Sequence, residues 1–224
     1  MRAIQILLSF TAGFVDTCVF VALFGLFTAH VTGNFVLIGA ELVHHSGNDV
    51  LVKLAALPIF VLAVASAVKL TDALERRGTG RVAPVLYVEA VLLVLSSLCS
   101  LHPWVRATDP SAVTAGLLAV AAMGLQNALM RLDLAALPST TVMTLTVTQA
   151  TIDAVTVATG GVDATRREQA SKRLSLMWPQ IAAFTAGAAA GAWGYAAAGL
   201  MALLVPAVLS IVVGVRWTAK PASA

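Results

Sequence analysis

Apolar residues are grouped along this chain into runs that are long enough to cross a lipid bilayer. A crossing helix needs about 20 consecutive, mostly apolar residues. Six segments satisfy this requirement: 4–26, 51–70, 82–101, 112–132, 174–193 and 196–215. The pattern predicts an all-α, polytopic transmembrane bundle in which residues 1–224 form a single membrane domain.

Two further apolar segments, 31–43 and 142–158, are harder to assign. The first is short, and the second is interrupted by several threonines. Charge between the segments decides the question, because Lys and Arg accumulate on the cytoplasmic side of a membrane. Three basic clusters are present: Arg76, Arg77 and Arg81; Arg166, Arg167, Lys172 and Arg173; and Arg216 with Lys220.

If all eight segments crossed, the first two basic clusters would lie on opposite sides of the membrane. If only the six long segments cross, Arg2, all three clusters and the C-terminus lie together on the cytoplasmic side. We therefore predict six spans, with 31–43 and 142–158 as short re-entrant or interfacial helices. Both termini are expected to be cytoplasmic.

A weak internal repeat divides the chain into halves of about 1–105 and 106–224. The matching positions are Gly13-Phe-Val-Asp16 with Gly124-Leu-Gln-Asn127, Thr32 with Thr144, and Glu41 with Asp153. Each half contains three predicted spans. An odd number of spans places the second half upside down relative to the first, as in the inverted repeats of many channels and secondary transporters.

Composition agrees with a membrane location and argues against several other classes. The chain is 59% hydrophobic and 11% charged, whereas soluble proteins average about 25% charged residues. The net charge of +3 comes from residues that flank apolar segments, so nucleic-acid binding is not expected. Neither the two cysteines nor the four histidines show metal-site spacing, and no catalytic motif is present. We expect no cofactor, no metal and no enzymatic activity.

Asp16 stands at the centre of the first apolar segment. An ionised carboxylate costs roughly 2.5–3.5 kcal/mol there on insertion scales, so it requires a partner, a proton or a water-filled cavity. One interpretation is a proton- or cation-coupling site. The other is a hydrogen-bonded acid that locks helices together. Glu89, in the third segment, has the same two interpretations.

The sequence His30-Val-Thr-Gly-Asn34 opens the first short segment. Gly33 permits a turn, and Thr32 and Asn34 can satisfy the backbone groups at a helix start. A helix start at membrane depth would direct N–H groups towards an anion or a polar solute. The alternative is a capped interfacial helix without a ligand. Asp16, His30, Thr32, Gly33 and Asn34 are thus candidate solute- or ion-binding residues.

In the second short segment, Thr140, Thr144, Thr148 and Thr151 share one helical face. They can line a polar path, or they can bond back to their own helix. Asp153 follows this face and is a further candidate, although it and Glu41 can also be solvated at an interface.

The fourth long segment contains two uncharged polar residues, Gln126 and Asn127, and Asn127 is the repeat counterpart of Asp16. Both are candidates for interhelical hydrogen bonds or for the solute site. Ala183, Gly187 and Gly191 are spaced four apart and form a small-residue face. Such a face packs helices within one chain or between copies in a homo-oligomer.

Four blocks carry a resemblance to a known family: Gly13-Phe-Val-Asp16, Gly25-Leu-Phe-Thr-Ala-His-Val-Thr-Gly-Asn34, Met123-Gly-Leu-Gln-Asn127 and Leu137-Pro-Ser-Thr-Thr-Val-Met-Thr144. With these blocks the chain resembles the YoaK family of bacterial membrane proteins, domain of unknown function 1275, over essentially its whole length. The resemblance implies a bacterial inner-membrane protein of about six spans. It implies no substrate.

Three functions follow as hypotheses. The first is a transporter or channel for a small, unidentified solute, coupled to protons or cations through Asp16. The second is a non-transporting membrane scaffold or assembly partner that uses the Gly187 and Gly191 face. The third is a membrane-embedded enzyme in which Asp16, His30 and Asn34 converge, although no catalytic motif supports it.

Overall fold

Helices form all of the regular structure in the part of the chain that the computed structural model describes, which comprises residues 2–23, 25–44, 50–99, 109–134, 143–159 and 163–218. The helices are α1 (Arg2–Ala22), α2 (Gly33–His44), α3 (Val50–Arg76), α4 (Val82–Cys99), α5 (Pro110–Leu132), α6 (Met143–Ala158), α7 (Ala164–Ala198) and α8 (Leu204–Thr218). A 3-10 helix, Gly199–Leu203, joins α7 to α8. The predicted all-α class is confirmed.

Within these described residues, five helical stretches are long and apolar enough to cross a membrane. They are α1, α3, α4, α5 and the stretch Ala164–Thr218, which contains α7, the 3-10 helix and α8. The helices α2 and α6 are shorter, with 12 and 16 residues. This arrangement is consistent with an integral membrane protein.

Several helix boundaries differ from the predicted segments: α3 extends to Arg76, α7 begins at Ala164, and glycines mark two other differences. The helix α1 ends at Ala22 rather than at 26, and the chain reverses through Gly25, whose φ of 111° is a conformation that favours glycine. The break expected between 193 and 196 lies at Gly199, which has a φ of 59°. Apolar side chains continue through both breaks, so hydropathy alone did not locate them.

Two apolar clusters fix the direction of the helices. The first cluster joins Ile4 of α1 to Val82 at the start of α4 and to Leu134 and Val213 near the ends of α5 and α8. The second cluster includes Leu26 after α1, Ala112 near the start of α5 and Leu200 in the 3-10 helix before α8.

The end of the bundle at the first cluster is called the basic end here. Arg81 connects three helices at this end. Its guanidinium donates to Glu75 at the end of α3 over 2.8 Å and pairs with Asp133, just after α5, over 2.6 Å. Arg2 and Arg216 lie at the corresponding ends of α1 and α8.

The most extensive helix contact is between α1 and α7, which run in the same direction. The backbones approach so closely that a Cβ atom at Gly187 would lie 2.2 Å from the Phe10 carbonyl oxygen, and one at Gly191 would lie 2.3 Å from that of Phe14. The predicted small-residue face therefore packs on α1 of the same chain. The other main contacts are α3 with α5, α4 with α5 and α8, and α6 with α7.

Candidate functional site

Asp16 is the centre of a hydrogen-bonded site formed with residues 25–32, called the return segment here. Its Oδ1 accepts from the Thr28 N–H at 2.7 Å, the Ala29 N–H at 2.8 Å and the Thr28 hydroxyl at 3.1 Å. Its Oδ2 lies 2.7 Å from Nδ1 of His30. Asp16 is 5% exposed, so these groups replace water around the carboxyl group.

The return segment runs back along α1. Asp16 lies about 9 Å before the end of α1 at Ala22, and the chain must double back over this distance to reach it. Phe27 packs on Phe20 with ring centroids 4.7 Å apart, and His30 lies edge-on to Phe184 of α7 at 5.6 Å. The return segment is therefore held between α1 and α7.

Asn34, near the start of α2, forms two hydrogen bonds back to the return segment. Its Oδ1 accepts from the Phe27 N–H at 2.9 Å, and its Nδ2 donates to the Phe27 carbonyl oxygen at 3.0 Å. Gly33 leaves room for the Phe27 ring, because a Cβ atom at Gly33 would lie 2.9 Å from that ring. Both residues thus shape the turn.

The first N–H groups of α2 are already hydrogen bonded. Those of Gly33, Asn34 and Phe35 donate to the carbonyl oxygens of His30, Val31 and Thr32 at 2.8–3.2 Å. The Thr32 residue is exposed. These contacts match the capped helix start considered from the sequence, rather than N–H groups directed at a solute.

The two repeat-related acids, Glu41 and Asp153, each form an ion pair with the following helix. Glu41 of α2 pairs with Lys53 of α3, which is almost fully buried. Asp153 of α6 accepts two hydrogen bonds from Arg173 of α7, at 2.7 and 3.0 Å. These bonds lower the pKa of Asp153 below its usual value and outweigh the effect of its burial. Glu41 therefore links the short helix α2 to α3, and Asp153 links the short helix α6 to α7.

Several threonines of α6 bond back to their own helix. Thr148 donates to the Thr144 carbonyl oxygen and Thr151 to that of Val147, both at 2.8 Å. The side of α6 that packs on α7 instead carries Thr146, Ala150 and Asp153. Thr144, Thr148 and Thr151 are exposed, and Thr140 lies outside the described residues. The arrangement agrees with the back-bonding alternative.

Gln126 and Asn127 have different surroundings. Gln126 is fully buried and donates from Nε2 to the Leu8 carbonyl oxygen of α1 at 3.0 Å, an interhelical hydrogen bond. Asn127 donates to the Met123 carbonyl oxygen of its own helix and lines an open groove of about 290 Å³ between α3 and α5. The contact of Gln126 reaches α1 at Leu8, about two turns of helix before Asp16.

A family model described as a protein of unknown function, DUF1275, matches residues 4–216, which is almost the whole chain. The chain belongs to the DUF1275 family. No curated protein and no solved structure gives a significant match.

Two residues of the DUF1275 site were not singled out from the sequence. Thr28 gives Asp16 two of its hydrogen bonds, and buried Lys53 lies near Gly25 as well as Glu41. Lys53 could have been recognised because it is a charged residue within the apolar segment 51–70. Nothing in the spacing of Thr28 distinguishes it from the other threonines.

Proposed function

We propose that this DUF1275 protein is a transporter or channel for a small solute, with Asp16 and His30 as a protonatable pair that controls passage. The proposal includes a location in a bacterial inner membrane with both termini in the cytoplasm. One observation carries it. The carboxyl group of Asp16, in α1, and the imidazole of His30, in the non-helical return segment, lie 2.7 Å apart inside an apolar bundle.

The contact of 2.7 Å between Oδ2 of Asp16 and Nδ1 of His30 supports one shared proton between the two side chains. Oδ1 of Asp16 accepts from three donors, so it cannot itself carry the proton and keep these contacts. In this proposal the shared proton lies at Oδ2 of Asp16 or at Nδ1 of His30. Since the His30 side chain is 32% exposed, a solute or water can approach the pair and change its charge. Intramembrane ionisable groups of this kind are typical of proton relays.

The six-span topology belongs to the same proposal. The last helical stretch has 55 residues, which extends over about 80 Å as one helix, against an apolar core of about 30 Å. Reversal at Gly199 lets α7 and α8 cross separately. All crossings then bring Arg2, Arg81 and Arg216 to one side, as the positive-inside rule requires.

The contacts also support the inverted repeat. If α1 to α4 correspond to α5 to α8, the contact of α1 with α7 corresponds to that of α5 with α3, and both occur. The details agree. A Cβ atom at Gly13 would lie 2.2 Å from the Phe184 carbonyl oxygen, and one at its counterpart Gly124 would lie 3.2 Å from that of Phe60. The ion pairs that join α2 to α3 and α6 to α7 are related in the same way.

A reporter fusion tests the topology. We expect reporters inserted after Thr79 and fused after residue 218 to be cytoplasmic, and one inserted before Asp109 to be external, in cells that express the full chain. If the stretch Ala164–Thr218 crossed only once, the reporter after residue 218 would instead be external. That result would contradict the six-span proposal, while the other two fusions serve as internal controls.

Flux measurements test the function. Purified protein in liposomes, screened against ions and small metabolites under an imposed pH gradient, is expected to transport at least one solute. Asp16→Asn should abolish the dependence of this flux on the pH gradient, because it removes the ionisable group and retains an Oδ1 acceptor. Glu168→Gln is the matched control. The Glu168 side chain is 67% exposed, so the control should transport normally.

An equal pH dependence in both variants would exclude Asp16 as the coupling group. No flux across the panel, together with a partner that co-purifies in fixed ratio, would favour the scaffold alternative. The Gly187 and Gly191 face would not be the docking surface in that case, since α1 already covers it.

A further inference from the structure

Glu89 is an acid that the Asp16 site does not involve. It lies in α4 and is 0% exposed, and its Oε1 is 3.0 Å from the hydroxyl oxygen of Ser210 in α8. The same hydroxyl is 3.0 Å from the Pro206 carbonyl oxygen. The second carboxyl oxygen, Oε2, is buried and has no hydrogen-bond partner among the described residues.

The hydrogen bonds of Ser210 distinguish the ionised form of Glu89 from the protonated form. The Ser210 hydroxyl has one hydrogen and faces two acceptors, the Glu89 Oε1 and the Pro206 carbonyl oxygen. If Glu89 is ionised, only one of these two contacts can be a hydrogen bond. If Oε1 carries a proton, Glu89 donates to Ser210 and Ser210 donates to Pro206, so both contacts are satisfied.

Among the described residues, Glu89 has no ion-pair partner. The charged groups of α5 and α8 lie at or just beyond helix ends: Asp109, Arg131 and Asp133 for α5, and Arg216 for α8. The helix α3 makes only a small contact with α4, and its charged residues are Lys53 near its start and Lys69, Asp72, Glu75 and Arg76 in its last eight residues. The 3-10 helix has no titratable residue. No salt bridge of the described residues includes Glu89. An unpaired buried charge is among the most costly groups in a protein.

We propose that Glu89 and Ser210 form a proton-binding site between α4 and α8, in which Glu89 Oε1 carries the proton and donates a hydrogen bond to the hydroxyl oxygen of Ser210. This site is distinct from the Asp16 and His30 pair. In the proposed inverted repeat, α4 and α8 are each other's counterparts, so a change of charge at their contact acts on both halves. The proton assignment itself does not depend on transport.

Infrared spectroscopy of the full-length protein in lipid bilayers at neutral pH tests the assignment. Wild-type protein is expected to show the C=O band of a protonated carboxyl group, and Glu89→Gln should lose the intensity of one such group. Glu75→Gln is the control. The Glu75 side chain is 65% exposed and pairs with Arg81, so its loss should remove only carboxylate intensity.

Isotope labelling covers the case in which Glu89→Gln does not fold. Wild-type protein with ¹³C-carboxyl glutamate is expected to show a protonated glutamate band at shifted frequency, without any substitution. Ser210→Ala should move that band, because the acid loses its acceptor. The proposal is overturned if labelled wild-type protein has no protonated glutamate band, or if Glu89→Gln removes a carboxylate band instead.

Discussion

Replacement of Gly187 or Gly191 by leucine is expected to eliminate most folded protein from the membrane. The added Cβ atom would lie 2.2 Å from the Phe10 carbonyl oxygen, or 2.3 Å from that of Phe14. These obstacles are helix backbone, so no side-chain rotation removes the overlap. Overpacking of this kind typically costs 1–3 kcal/mol and occasionally more. We expect about 3 kcal/mol or more, since α1 and α7 have to separate.

Separation of α1 from α7 would also disturb the candidate site, because His30 packs between Asp16 of α1 and Phe184 of α7. The measurement is the fraction of monodisperse protein after detergent extraction, followed by the midpoint of thermal unfolding. Gly39→Leu is the control, since Gly39 is also helical but has nothing within 4 Å of its Cβ position. Equal yields for Gly187→Leu and Gly39→Leu would show that the close approach is not required.

The sequence predicted what lipid and local spacing dictate. A bilayer core requires long apolar helices, so α3, α4 and α5 were found close to their observed bounds. The spacing of Gly187 and Gly191 gave the packing face, since residues four apart share one side of a helix. The partner of that face, α1, was not predicted, because either another helix or a second copy would fit the same pattern.

The features that the sequence did not predict depend on contacts between residues far apart in the chain, or on which of two possible contacts a side chain makes. Residues 23–29 are apolar enough to continue α1, and the contacts of Thr28 and Ala29 with Asp16 show that the chain folds back. The threonine spacing in α6 gave a face but not its direction, and the face proved to be exposed. Ser210 lies 121 residues from Glu89, and no local pattern pairs the two.

Asp16→Leu is expected to release the return segment, whereas Asp16→Asn should retain it. Leucine leaves the N–H groups of Thr28 and Ala29 without their acceptor in an apolar surrounding, and each unsatisfied group costs about 1–3 kcal/mol. Asparagine keeps an acceptor for these groups, and its Nδ2 can donate to Nδ1 of His30. The two substitutions therefore separate the loss of hydrogen bonds from the loss of charge.

The rate of thiol labelling measures this release. Ala29 is 7% exposed, so Ala29→Cys, in a background with Cys18 and Cys99 replaced by alanine, should react slowly with a membrane-impermeant maleimide. If opening becomes easier by about 3 kcal/mol, labelling in the Asp16→Leu variant should accelerate on the order of 100-fold, since 1.4 kcal/mol corresponds to a factor of ten. The Asp16→Asn variant should stay within a few-fold of the background. Equal rates in all three proteins would mean that Asp16 does not hold the return segment. The structural interpretation of Asp16, as an acid that locks this part of the fold, would then be excluded, and proton or cation coupling would be the interpretation that is left.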